Sequence, residues 1–194
     1  MRRMAEESVR RALYVLFARL LAGPPDAALF ERLRTGGLQH LAEVQGVDLT
    51  SDLADEEDAE MSAAELRVEH DRLARDVSLR ASDYHAAGAI DPAVSVRALL
   101  AEHGLTMDDE VELPLDHISV AMGIMAELAG QADLEQDDEE SRARARSFFL
   151  RHVAPWCQEA LTEIAARAER RYYRGLAAMV SAFLESERRA HRIA

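Results

Sequence analysis

In "VELPLDHISVAMGIM", residues 111–125, Glu112, Pro114, Asp116 and His117 stand at the mouth of an apolar run. A carboxylate and an imidazole this close are the raw material of acid–base chemistry, one group taking a proton and the other giving it. The same groups could ligate a metal, or form a polar clamp beside a groove that receives another protein. A plainer role stands beside these. Asp116 suits the first turn of a helix, where negative charge meets the positive end of the dipole, and His117 suits a hydrogen bond between loop and helix.

Other signatures of chemistry are sparse. The sequence holds no G-x-x-x-x-G-K-[ST], no G-x-G-x-x-G after a strand, no H-E-x-x-H and no C-x-x-C, which removes the common phosphate-cradling and metal motifs. His152 and Cys157 lie five apart across Pro155, a poor fit to zinc ligands on one helix. Neither a metal nor a cofactor is expected. An enzyme reading remains as a small helical hydrolase using Glu112, Asp116 and His117 around a water or a metal.

Bulk properties set the frame that must position these groups. The 194 residues are 48% hydrophobic and 30% charged, enough for one domain with a sizeable core. No run of about 18 uncharged apolar residues exists, so no membrane-spanning helix is expected. The single cysteine cannot form an internal disulfide, which fits a reducing compartment. The formal charge is −13, and all 23 basic residues other than histidine are arginine. That balance disfavours a nucleic-acid partner, which needs clustered positive charge, and it can steer a basic partner segment. "SVRRALYVLFARLLAGPP" has twin arginines before an apolar run, as an export leader would, but Arg19 interrupts the run and no A-x-A site follows. Val9, Leu13, Leu16, Phe17, Leu20 and Leu21 fall at helical spacing instead.

The periodicity predicts helices nearly throughout. The first covers 5–22, stopped by Gly23 and two prolines. Short helices follow from Pro25–Asp26 to Gly36 and over 38–44, then an acidic loop near 46–60. The next helix runs from Ser62, as an N-cap with Glu65 three residues on, to 81. After the irregular "SDYHAAGAIDP", a helix opens at Pro92 and is capped by Gly104. The helix after Pro114 buries Ile118, Met122, Ile124, Met125, Leu128 and Ala129. A second acidic break lies near 131–141, followed by helices over 139–153, from Pro155 to 170, and over 172–189. The last buries Leu176, Met179, Val180, Phe183 and Leu184. The expected fold is all-α, one compact helical domain over 1–194.

Three patterns together carry a family resemblance. "PLDHI" at 114–118 resembles the P-x-D-H signature of the TorD/DmsD/NarJ group, cytoplasmic chaperones of molybdenum-cofactor oxidoreductases. "FFLRHVAPW" at 148–156 is similar to its H-x-x-P-W element, and "RYYRGLAAMVSAFLESE" to its closing helix. "LYVLFARLLAGPPD" and "SDYHAAGAIDPAVSVRALLAEHGL" resemble earlier segments in the same order. Leu113 stands where relatives often carry glutamate, and Tyr84 where some carry tryptophan.

The resemblance implies a TorD-like helical bundle and a protein that catalyses no reaction. It implies binding of the twin-arginine leader, the apo form, or both, of a molybdopterin-dependent oxidoreductase until its cofactor is inserted. Such a receptor needs an apolar furrow with an acidic rim. Glu112 lies at that rim, Pro114 fixes the bend, and Asp116 would accept a guanidinium hydrogen bond while His117 donates or accepts. Tyr84 and Trp156 would supply flat walls and Met122, with Met125, an adaptable surface. The expected place is the cytoplasm, without stable membrane insertion. The oligomeric state is open.

Overall fold

The computed structural model describes residues 2–35, 59–86, 90–102, 104–106, 112–134 and 139–193. Among these the chain is all-α, as the periodicity predicts, and its one β feature is an isolated antiparallel bridge between Arg80 and His117. The helices are α1 (Arg2–Ala22), α2 (Ala27–Thr35), α3 (Ala59–Asp76), α4 (Pro92–Glu102), α5 (Ile118–Leu134), α6 (Glu139–Phe148), α7 (Cys157–Arg167) and α8 (Arg171–Ile193). A 3₁₀ turn spans Ala81–Asp83, and a π-helical stretch, Phe149–Val153, follows α6 directly. None of the described helices is long and apolar enough to cross a membrane.

The chain divides into two compact units. One comprises Met1–Ala22 and Leu79–Cys157, the other Gly23–Ser78 and Gln158–Ala194. In the first, α1 lies along α5. Leu13, Phe17, Leu20 and Leu21 are buried, as is Tyr14, which the apolar stripe did not include. Val9, the first residue of that stripe, is instead 49% exposed. Opposite them, α5 buries all six of its expected core residues. The Ser119 hydroxyl donates to the Ala18 carbonyl at 2.7 Å, and the Arg11 side chain crosses α5 at Gly130, close enough that a Cβ there would meet Nε at 2.8 Å.

Local chemistry sets several helix ends. Asp91 caps α4, its Oδ1 accepting from the Ala93 N–H at 2.8 Å, with Pro92 in the first helical position where its missing N–H costs nothing. The helix stops at Gly104, whose φ of +63° a side chain would resist, while the Leu105 N–H returns to the Leu100 carbonyl at 2.9 Å.

In the second unit, Asp26 caps α2 through the Leu29 N–H at 2.7 Å. The core gathers Phe30 and Leu33 from α2, Leu66 and Leu73 from α3, Leu161 and Ile164 from α7, and the expected apolar face of α8.

Several boundaries differ from expectation. α3 begins three residues before Ser62, which is buried inside it rather than capping it, and stops at Asp76 rather than at 81. The residues expected to continue it are taken by another partner: the Ala81 N–H donates to the Asp116 carbonyl and the Ile118 N–H to the Leu79 carbonyl, both at 2.9 Å. The helix expected over 139–153 changes to π geometry at Phe149, and the one expected from Pro155 to 170 spans only Cys157–Arg167. Of the break expected near 131–141, residues 131–134 belong to α5 and α6 starts at Glu139. The helix expected over 38–44, and the acidic segment as far as 58, lie outside the described residues.

Candidate functional site

The corner before α5 belongs to the first unit and is built by two backbone segments crossing. Residues 114–117 form a turn closed by the His117 N–H on the Pro114 carbonyl at 2.9 Å. The bridge to Arg80 then pins this turn against the 3₁₀ segment. His117 occupies the N-cap position of α5, its Nδ1 accepting from the Ser119 N–H at 3.2 Å. An accepting Nδ1 places the proton of a neutral ring on Nε2.

Asp116 is the centre of the corner. Its side chain is 0% exposed, while the side chain of Arg80 is 50% exposed and places Nε 3.2 Å from Oδ1. The Ser82 N–H donates to Oδ2, also at 3.2 Å. Burial opposes the charge of Asp116, but the hydroxyl and N–H of Ser82, together with the Arg80 guanidinium, outweigh it and hold the carboxyl below the usual carboxylate range. This group is therefore a permanent anion at neutral pH, the reverse of a general acid, whose pKa must be raised toward 7.

An aromatic wall stands beside it. The π stretch and the turn after it carry the chain round to Trp156, whose Nε1–H donates to the His152 carbonyl at 2.7 Å. Tyr84 stacks on the Trp156 ring with centroids 5.7 Å apart and planes 28° from parallel. His152 packs on Phe148 at 5.0 Å. Burial, then the charges of Arg151 and His85, push its pKa down, so its ring is neutral at pH 7. The Nδ1–H of His85 donates to the Ala81 carbonyl at 2.7 Å.

Asp116, His85, His152 and Trp156 line one recess, closed by apolar groups of Pro92, Val96, Leu115 and Ala121. It has room for little more than a water molecule. A peptide side chain can enter only by moving something aside.

The structure thus brings Asp116 and Trp156 together on one recess, with Tyr84 stacked on the latter. Glu112 and Pro114 are exposed on the approach to the turn, and His117 is half-buried. One expectation needs correction. Met122 is fully buried, as is Met125, because α5 is enclosed on nearly every side, Val120, Ala121 and Ala126 included, so neither offers contact surface. Asp116, expected to accept a foreign guanidinium, has the chain's own Arg80 Nε 3.2 Å from Oδ1. Sequence reading missed Arg80, Ser82 and His85, and weighed His152 only as a metal ligand. Arg80 and Asp116 are 36 residues apart, and no local spacing rule links them. Among the described residues, no group of three or more His, Cys, Asp or Glu side chains is gathered as metal ligands are. Cys157 is wholly buried, and burial pushes its thiol pKa up, away from nucleophilic use.

Compared with known proteins, the chain matches the family model described as the nitrate reductase delta subunit, over residues 32–162. That span takes in the whole corner and the aromatic wall. No curated protein matches the chain.

Proposed function

The chain belongs to the nitrate reductase delta subunit family, molybdoenzyme maturation chaperones of the TorD/DmsD/NarJ kind, and from that membership we propose that it is a cytoplasmic assembly chaperone. Its client is the catalytic subunit of a molybdopterin-dependent oxidoreductase. The chaperone holds the twin-arginine leader, the apo catalytic body, or both, until the cofactor is in place, and catalyses no covalent step itself.

The observation that carries this reading is the family match across residues 32–162. The corner supports it chemically. A leader peptide offers a basic end followed by an apolar stretch, and the recess offers a fixed carboxylate beside stacked aromatic rings. Tyr84 is the accessible member of that stack, half-buried over the buried Trp156. An aromatic group of this kind supplies contact area at low entropic cost.

Calorimetry with a synthetic twin-arginine leader, and capture of the apo catalytic subunit by the purified chain, test the reading. Binding of either is the expected result. Tyr84→Ala is expected to weaken leader affinity about fivefold to tenfold while far-UV circular dichroism stays unchanged. Failure to bind both leader and apo subunit overturns the proposal.

A further inference from the structure

Two imidazoles, His85 and His152, line the recess beside the aromatic wall, and they are held differently. The His85 ring is tied through Nδ1–H to the Ala81 carbonyl. The described residues give the His152 ring a packing contact, Phe148 at 5.0 Å, and no hydrogen bond. Its backbone does more. The His152 carbonyl accepts from the Trp156 Nε1–H at 2.7 Å, the only bond an indole can donate, and Trp156 is 1% exposed. A neutral imidazole can sit in this way. Protonated, the ring carries a charge and two N–H donors, each needing water or an acceptor, where the space holds little more than one water molecule. The surroundings oppose that charge. Burial first, then the charges of Arg151 and His85, push the His152 pKa down. Toward the recess α4 turns Pro92 and Val96, and α5 turns Ala121. Asp116 is the one anion lining it, and its oxygens bond Arg80 and Ser82. The way out is short, since Leu150 and Arg151, just before His152, are exposed.

We propose that His152 is a proton-operated catch on the aromatic wall. Neutral, its ring stays in the recess and its carbonyl seats the indole of Trp156. Protonated, the ring swings out to water, the carbonyl goes with it, and the indole is released. In the withdrawn state the ring titrates at the ordinary histidine value of about 6.5; in the seated state it does so lower. The seated wall is therefore fully favoured above that value. As the pH falls from there toward the lower seated value, the ratio of withdrawn to seated molecules grows about tenfold per pH unit, the effect of one proton. The catch does not depend on what the wall binds. On the chaperone reading above, it makes release of the client a response to mild acid.

Trp156 is the only tryptophan of the chain, so its accessibility reports the catch directly. Acrylamide quenching and the wavelength of maximum emission are followed between about pH 7.5 and about pH 5, with far-UV circular dichroism alongside. Intensity alone does not serve, because a nearby imidazolium dims an indole without moving it. In the wild type the quenching constant is expected to rise several-fold toward acid and the emission to shift red, while helicity is kept. His152→Phe keeps a ring that takes no proton, and its indole is expected to stay protected over the whole range. Should His152→Phe not fold, His152→Gln, equally unable to titrate, carries the comparison. A wild-type indole protected alike at both ends overturns the catch. So does exposure that comes only with loss of helicity, or an acid transition that persists in a folded His152 variant. Leader binding by the wild type at pH 7.5 reads the chaperone proposal separately, and either reading can fail while the other stands.

Discussion

At the scale of single residues, Glu69 does for the second unit what Asp116 does for the first. It is buried, receives Arg72 through Nε at 3.0 Å and Nη2 at 2.8 Å, and accepts the Glu169 and Arg170 N–H groups on Oε1 at 2.7 and 3.3 Å. Those two N–H groups precede α8, where a helix start leaves donors without intrahelical partners. Burial opposes the charge of Glu69, but Arg72 and the two N–H groups outweigh it and hold the carboxyl below its ordinary 4.5. The folded state therefore keeps Glu69 ionised where the unfolded chain would take up a proton. Its stabilisation is complete above pH 4.5 and lost as the pH falls through the lower folded value. Glu69→Gln is expected to cost about 2 kcal/mol at pH 7 and almost nothing once the wild-type carboxyl is itself protonated. Urea unfolding at pH 7 and at successively lower pH checks both halves. No sequence pattern marks Glu69, since its partners at 169 and 170 lie a hundred residues away in the chain.

At the scale of elements, legibility followed how local the cause was. The expected face of α8 is buried because a 3.6-residue stripe needs only one apolar neighbour to be realised, whereas α5 buries Val120, Ala121 and Ala126 beyond its expected six because it is enclosed on nearly every side. The Gly104 stop was legible because positive φ is a property of one residue. Gly104→Ala is expected to destabilise by about 1 kcal/mol, with the loss appearing in the denaturant midpoint and an unchanged slope. Tyr14 escaped the stripe because its phenol counts as polar although its ring is buried. The end of α3 and the corner at Asp116 were illegible for a shared reason. Segment 79–82 and segment 116–118 are each unremarkable alone, and their backbone groups choose one another only once the chain is folded. The corner inherits that limit: Asp116, Tyr84 and Trp156 could be named from their motifs, whereas the pairing of Arg80 with Asp116 could not.

At the scale of the whole molecule, the net charge of −13 acts through its field rather than through any one contact. Long-range attraction of a basic leader raises the encounter rate and is screened within a Debye length of about 8 Å at physiological salt. The association rate with a twin-arginine peptide, followed by stopped-flow fluorescence of Trp156, is expected to fall several-fold between low and 0.5 M salt, with the dissociation rate much less affected. A salt-independent association rate would show that only local groups matter. One feature of the path has a longer reach than its size suggests. A π turn holds more residues than an α turn, so each residue of Phe149–Val153 turns through less than the roughly 100° of an α-helix of 3.6 residues per turn, and the chain leaves the stretch behind the bearing that unbroken α winding would give it. The indole of Trp156 owes its bearing to that offset. Were the stretch to relax to ordinary winding, its composition unchanged, the ring beneath Tyr84 would be aimed elsewhere, so the aromatic wall is encoded by a count of residues as much as by their kind.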